Sequence, residues 1–101
     1  MDLKEFLRGD TLLADRTRLV IMSTLAAAEE PVPFMRLLDS LELTRGNLAS
    51  HLRKLEESGY VVVAKKFVER KPNTSYSCTA KGRKAVDQYL RDLEALSKGR
   101  R

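Results

Sequence analysis

A chain of 101 residues with 43% apolar side chains has room for one domain around one core, and nothing in its composition is unusual for a globular protein. No run approaches the eighteen or so apolar residues of a membrane span, and one cysteine with one histidine excludes an internal disulfide and a structural zinc site. The net charge of +5 is unevenly spread: Met1 to Leu43 holds five Lys/Arg against eight Asp/Glu, whereas Thr44 to Arg101 holds fourteen against six. A base-rich half of this kind attracts phosphate backbones.

In chain order, Leu3, Phe6 and Leu7 have helical spacing over Met1 to Arg8, in a segment too short to stand alone. Residues 1–10 are expected to dock on the rest of the chain. Asp2, Lys4, Glu5 and Arg8 interrupt any apolar run there, so a signal peptide is not expected and a cytoplasmic protein is. A longer helix, starting somewhere within Thr11 to Arg18, is predicted to reach about Ala28 through Leu12, Leu13, Leu19, Val20, Met22 and Leu25. The Glu29–Pro33 segment breaks it. Phe34, Leu37, Leu38 and Leu41 then mark a short helix.

The stretch Thr44 to Ser58 dominates the reading. Leu48, Leu52 and Leu55 recur at i, i+4 and i+7, which places them on one buried stripe. Turning ~100° per residue puts Gly46, Asn47, Ser50, Arg53 and Lys54 on the other side, a polar face with two cations. Thr44 is a predicted N-cap and Gly59 a predicted left-handed terminator. Two helices joined this tightly, the second with a polar outer face, form a helix-turn-helix.

After Gly59 the period changes to that of strands. Tyr60 to Phe67 and Thr74 to Thr79 are expected to pair as a β-hairpin around a charged turn at 68–73, which is longer than the two-residue type and lacks Asn-Gly, so turn chemistry does not fix the register. A lone hairpin is marginal, so Val61, Val63, Tyr76 and Cys78 should pack it on the helices, with Cys78 a small core residue. Thr79 caps a last helix predicted over 80–96, in which Gly82, Val86, Tyr89, Leu93 and Leu96 form a heptad seam and Leu90 widens it. The seam is best used between two chains, with Val86, Tyr89, Leu90, Leu93 and Leu96 at a homodimer interface. Residues 97–101 are expected to be a disordered tail. Lys81, Arg83 and Lys84 oppose the dipole of that helix, an arrangement expected to be offset by a DNA phosphate or by Asp2 or Glu5.

The run LTRGNLASHLRKLEESGYVVVAKKFVERKPNTSYSCTAKGRKAVDQYL, Leu43 to Leu90, resembles the winged-helix domains of small bacterial and archaeal transcriptional regulators related to the MarR and ArsR groups. The shared parts are N-L-x-x-H-L-x-x-L-E-x-x-G-Y at Asn47 to Tyr60, R-K-P at Arg70 to Pro72 and T-x-x-G at Thr79 to Gly82, with a looser match from Asp15. The resemblance implies a mainly α fold with a β-hairpin wing, a winged helix-turn-helix carrying a C-terminal dimerisation helix. It also implies a homodimeric DNA-binding protein acting in transcription regulation.

On that reading Arg45, Asn47, Ser50 and Arg53 are the candidates for base edges in the major groove, with Asn suiting adenine and Arg suiting guanine. Lys54, Lys65, Lys66 and Lys71 are phosphate candidates and Arg70 the candidate for the minor groove. The expected partner is double-stranded DNA with an approximately palindromic site, and no metal or cofactor is expected. Two other readings are a protein-interaction module built on the same fold and a non-specific architectural DNA binder. An enzyme is disfavoured, because no paired carboxylates, phosphate loop or activated nucleophile appear. His51 sits at the edge of the buried stripe, where a packed ring is expected, and no residue identifies an effector.

Overall fold

A computed structural model describes residues 1–99. The elements follow the order α1 (Leu3–Leu7), α2 (Arg16–Ala27), β1 (Val32–Pro33), α3 (Phe34–Leu41), α4 (Arg45–Glu57), β2 (Val61–Val68), β3 (Lys71–Cys78) and α5 (Ala80–Lys98). This is a winged helix: a helical core, an antiparallel sheet in the order β1-β3-β2, and a C-terminal helix. Among the described residues no helix is long and apolar enough to cross a membrane.

The core is a single cluster of apolar side chains. Leu48, Leu52 and Leu55 are at most 1% exposed and meet Leu13, Ile21, Met22, Leu25, Leu37, Val61 and Val86. The three-leucine stripe therefore does what its spacing requires. Leu13 is the unexpected member, being fully buried but outside any helix. Asp10 holds it there by accepting the Leu13 N–H through Oδ1 at 2.9 Å, and α2 starts only at Arg16, capped by Asp15 Oδ1 on the Arg18 N–H at 2.9 Å. The Arg18 backbone N–H, by bonding to the charged form, is the main reason the Asp15 carboxyl lies below its usual range.

The hairpin corrects the expected turn. Val61–Val68 pairs in full register with Lys71–Cys78, so the connection is two residues, Glu69 and Arg70, instead of the six at 68–73. Both have positive φ, 51° and 66°, the backbone of a type I′ turn. That turn matches strand twist and normally takes Asn-Gly. Here two ordinary side chains accept a conformation costing roughly 1–2 kcal/mol each, offset by the longer ladder. A third strand escaped the sequence reading: Val32 and Pro33 pair with Tyr76 and Ser75. Two residues carry no visible period, and only the register of β3 creates them.

The T-x-x-G motif becomes intelligible at the junction of α4, the hairpin and α5. Helix α4 ends in a Schellman arrangement, with Tyr60 N–H to Leu55 O and Gly59 N–H to Glu56 O, both 3.0 Å, and Gly59 at φ 81°. Thr79 Oγ1 donates to Gly59 O at 2.6 Å and accepts the Gly82 N–H at 3.0 Å, tying the end of α4 to the start of α5. A Cβ on Gly82 would lie 2.3 Å from Tyr60 O.

Two cations of the basic start of α5 have partners here other than Asp2 and Glu5. Lys81 Nζ donates to Ser58 O at 2.8 Å and lies 5.8 Å from the Tyr60 ring centroid, while Arg83 Nη1 donates to Ala26 O at 2.9 Å. These cations stand at the C-termini of α4 and α2, where helix dipoles favour positive charge. They do not pair with Asp2 or Glu5.

Tyr60 closes the same junction by donating its hydroxyl to Asp10 Oδ2. Burial, then the hydrogen bond to Asp10 and its charge, push the phenol from 10.0 up to about 12. The folded protein therefore holds this proton more tightly than the unfolded chain. Its contribution is complete below pH 10 and is lost as pH rises towards 12. A melting series across that window should show a steeper alkaline loss for the wild type than for Tyr60→Phe. Parallel curves would show that the latch contributes nothing. Tyr76, also raised by burial and then by Glu56, stays in both proteins as the common background.

Candidate nucleic-acid interface

Helix α4 presents its polar side to solvent. Arg45, Asn47, Arg53 and Lys54 are exposed and Ser50 is half-buried. The helical turn separates them into three groups. Gly46, Ser50, Arg53 and Glu57 lie opposite the leucine stripe, Asn47 and Lys54 on one flank, and Arg45, Ala49 and Glu56 on the flank towards the sheet.

Two grooves open beside the helix on that sheet side. One, of about 340 Å³, is lined by Ala49, Leu52, Arg53 and Glu56 of α4 and by Val63, Lys65 and Tyr76 of the sheet. The other, of about 370 Å³, lies between Arg45, Phe34 and Met35 on one side and Pro72, Asn73, Thr74 and Tyr76 on the other. The structure thus brings Arg53 and Lys65 to one groove and Arg45 to the next. Lys66, Arg70 and Lys71 stand apart, exposed near the far end of the hairpin.

Arg53 pairs with Glu57 at 3.9 Å, with both side chains about 70% exposed. Such a pair contributes between nothing and about 1 kcal/mol, so Arg53 is held in place without being consumed. Ala49, Glu56, Asn73, Thr74 and Tyr76 were missed by the sequence reading, because groove walls are made jointly by elements distant in the chain. Ala49 had a visible signal: it is a small residue about 100° round the helix from Leu48, on its flank.

His51 lies at the helix edge as expected, but its partner was not foreseen. Arg18 Nη1 approaches His51 Nδ1 at 3.2 Å, while Arg18 Nε donates to Leu12 O at 2.8 Å and its Nη1 lies 4.0 Å from Asp15. Arginine only donates, so Arg18 is the donor wherever this contact is a hydrogen bond. The Arg18 side chain, 12% exposed, ties α4 to α2 and to the segment before it. Cys78 is half-buried, donates to Thr79 O at 3.3 Å, and burial pushes its thiol up, opposed by Arg83. Among the described residues no group of three or more potential ligands is placed to hold a metal ion.

The expected dimer face is divided. Val86 is 4% exposed and belongs to the chain's own core; the period placed it on the seam, but α5 turns that part inward against α2. Tyr89 is half-buried and meets Phe6 at 5.9 Å between ring centroids. Leu90 and Leu93 are 47% and 37% exposed and Leu96 is half-buried. Of the apolar residues in helix α1, Phe6 packs inward, while Leu3 and Leu7 are 69% and 77% exposed. The predicted disordered tail begins too early, since α5 runs to Lys98 and Gly99 caps it by donating to Ala95 O at 3.0 Å. Arg100 and Arg101 lie outside the described residues.

A polar recognition helix on a leucine stripe, followed by a cationic two-stranded wing, defines a winged-helix DNA-binding protein. The comparisons agree: residues 17–97 match the family model of the winged helix DNA-binding domain, and the chain belongs to that family. The chain is similar to a transcriptional regulator homologue from Pyrococcus horikoshii OT3, at 35% identity over 96% of this chain and 94% of that one, with a TM-score of 0.85. It is 42% identical over 65 residues to an uncharacterized protein of Methanocaldococcus jannaschii, covering 64% of this chain and 71% of the relative. It also shares its fold with S. aureus MepR, whose structure is that of a DNA complex, at 15% identity and TM-score 0.72 over 92% of this chain and 77% of MepR. Its structural neighbours are transcriptional regulators, including members of the PadR and MarR families, and not enzymes.

Proposed function

We propose that the protein is a sequence-specific transcription regulator that binds duplex DNA as a homodimer, acting in the cytoplasm. The observation that carries this reading is α4 itself: its leucine stripe is sealed in the core while Arg45, Asn47, Arg53 and Lys54 are exposed to solvent. The major groove admits a helix of this width and displays distinguishable base edges. Arg53 and Ser50 lie at the centre of the outer face and take the bases, with Asn47 and Arg45 on either side. Lys54, Lys65, Lys66 and Lys71 take phosphates, and Arg70 at the wing tip takes the minor groove or backbone. The fold shared with MepR, a protein whose structure contains DNA, supports this docking.

Leu90, Leu93 and Leu96 of α5, with Leu3 and Leu7 of α1, supply the apolar surface for a second chain. An isologous pairing there sets two recognition helices about a twofold axis. The matching site is an approximate palindrome with half-sites about one turn, ~34 Å, apart.

Selection of bound sequences from a random duplex pool tests these statements together. The expected product is a twofold-symmetric motif. Arg53→Ala should then cost about 1–3 kcal/mol on that motif and relax the preference at one position per half-site. A pool without enrichment, or affinity indifferent to salt, would contradict the reading and favour a protein-interaction module.

A further inference from the structure

The far end of the wing is apolar as well as cationic. Phe67 is 80% exposed and Val68 49%. Register places Phe67 opposite Pro72, itself exposed, and Val68 opposite Lys71. Around this patch stand Lys65, Lys66, Arg70 and Lys71 with one carboxylate, Glu69. Strand alternation puts Phe67 on the same face as Val61, Val63 and Lys65, the face that turns to α4 and lines the groove with Arg53. It lies four residues beyond half-buried Val63, about 13 Å further along the strand. No described side chain of the fold covers it, so its ring adds little to the core.

We propose that Phe67 is a wedge that enters the minor groove and stacks against an opened base step, kinking the duplex. This rests on the DNA-binding reading above and names a residue that reading leaves unused. A flat apolar ring among cations fits a partner whose phosphates flank stackable faces. Apolar side chains of this type unstack base steps from the minor-groove side, while arginine favours the narrowed groove beside them. The positive-φ turn serves the same end, since a two-residue connection keeps Arg70 within three residues of Phe67 at the very tip. With α4 in the major groove, the strand face that brings Lys65 to the groove beside Arg53 carries Phe67 further along and points the ring at the neighbouring minor groove.

The test uses the full chain, a duplex recovered by selection, and 2-aminopurine placed at successive steps of that duplex. Wild type should brighten the probe at one step per half-site and shorten the end-to-end distance read by energy transfer. Phe67→Ala should melt like wild type, bind about ten- to hundredfold more weakly, lose both signals and keep the salt slope set by the unchanged cations. The chain has no tryptophan, so Phe67→Trp supplies a single reporter whose emission should be quenched by stacking on bases. An unquenched tryptophan, or a Phe67→Ala protein that retains wild-type affinity or the 2-aminopurine signal, would overturn the wedge while leaving DNA binding intact. Normal duplex binding with lost self-association would overturn it too, assigning the ring to a second chain. A wild-type protein that binds no duplex would remove the underlying reading and the wedge together.

Discussion

Leu52→Ala should lower stability by about 2–5 kcal/mol, the range for emptying a fully packed leucine site. Leu52 is 1% exposed, sits between Leu48 and Leu55 on the stripe of α4, and borders the groove that holds Arg53 and Lys65. The cavity would therefore open directly beneath that groove. For a domain of this size the loss corresponds to a fall in Tm of about 10 °C or more. Leu7→Ala provides the contrast, because at 77% exposure Leu7 contributes little to the core of a single chain. Its melting temperature at a concentration where the protein is monomeric should stay close to wild type. Equal effects of the two substitutions would mean that the leucine stripe does not anchor the helix.

Gly82→Ala should destabilise by about 1–3 kcal/mol, as overpacking does where the surroundings cannot yield. The new Cβ would stand 2.3 Å from Tyr60 O and 2.8 Å from Met22 Cε. The methionine end can swing away. The carbonyl cannot, because it accepts the Thr79 N–H at 3.0 Å at the junction that Thr79 also ties to Gly59 and Gly82. Gly46→Ala in α4 is the matched control, with nothing within 4 Å of the added atom. There the same exchange removes a flexible residue from a helix and should stabilise by roughly 0.5–1 kcal/mol. Denaturant titration of both variants reads the predicted opposition of sign. Two shifts of the same sign would show that close approach at Gly82 is not what requires glycine.

The basic first turn of α5 shows how an electrostatic feature can be noticed in the sequence and explained only in three dimensions. Lys81 and Arg83 oppose the dipole of their own helix, which the sequence displays. Their partners are the carbonyls Ser58 O and Ala26 O, which terminate two other helices. A misplaced charge in one helix is a well-placed charge for its neighbours. The same cations would therefore be expected to contribute to stability before any DNA is present.

By itself the sequence determined the helix-turn-helix, the buried stripe of α4, its caps at Thr44 and Gly59, the hairpin that follows, and the basic face. All of these rest on interactions within a few residues, namely helical period, capping hydroxyls and strand alternation, which the order of residues encodes directly. Only the tertiary structure decided the two-residue wing turn, the strand at Val32–Pro33, the burial of Leu13 and Val86, and the pairing of Arg18 with His51. Each of these depends on what a distant segment offers. Register is set by a ladder of eight pairs rather than by the turn residues, and burial by which side of α5 meets α2. The grooves beside α4 belong to the same class, because their walls come from α3, α4 and both long strands, and no local pattern records which side chains will share a wall.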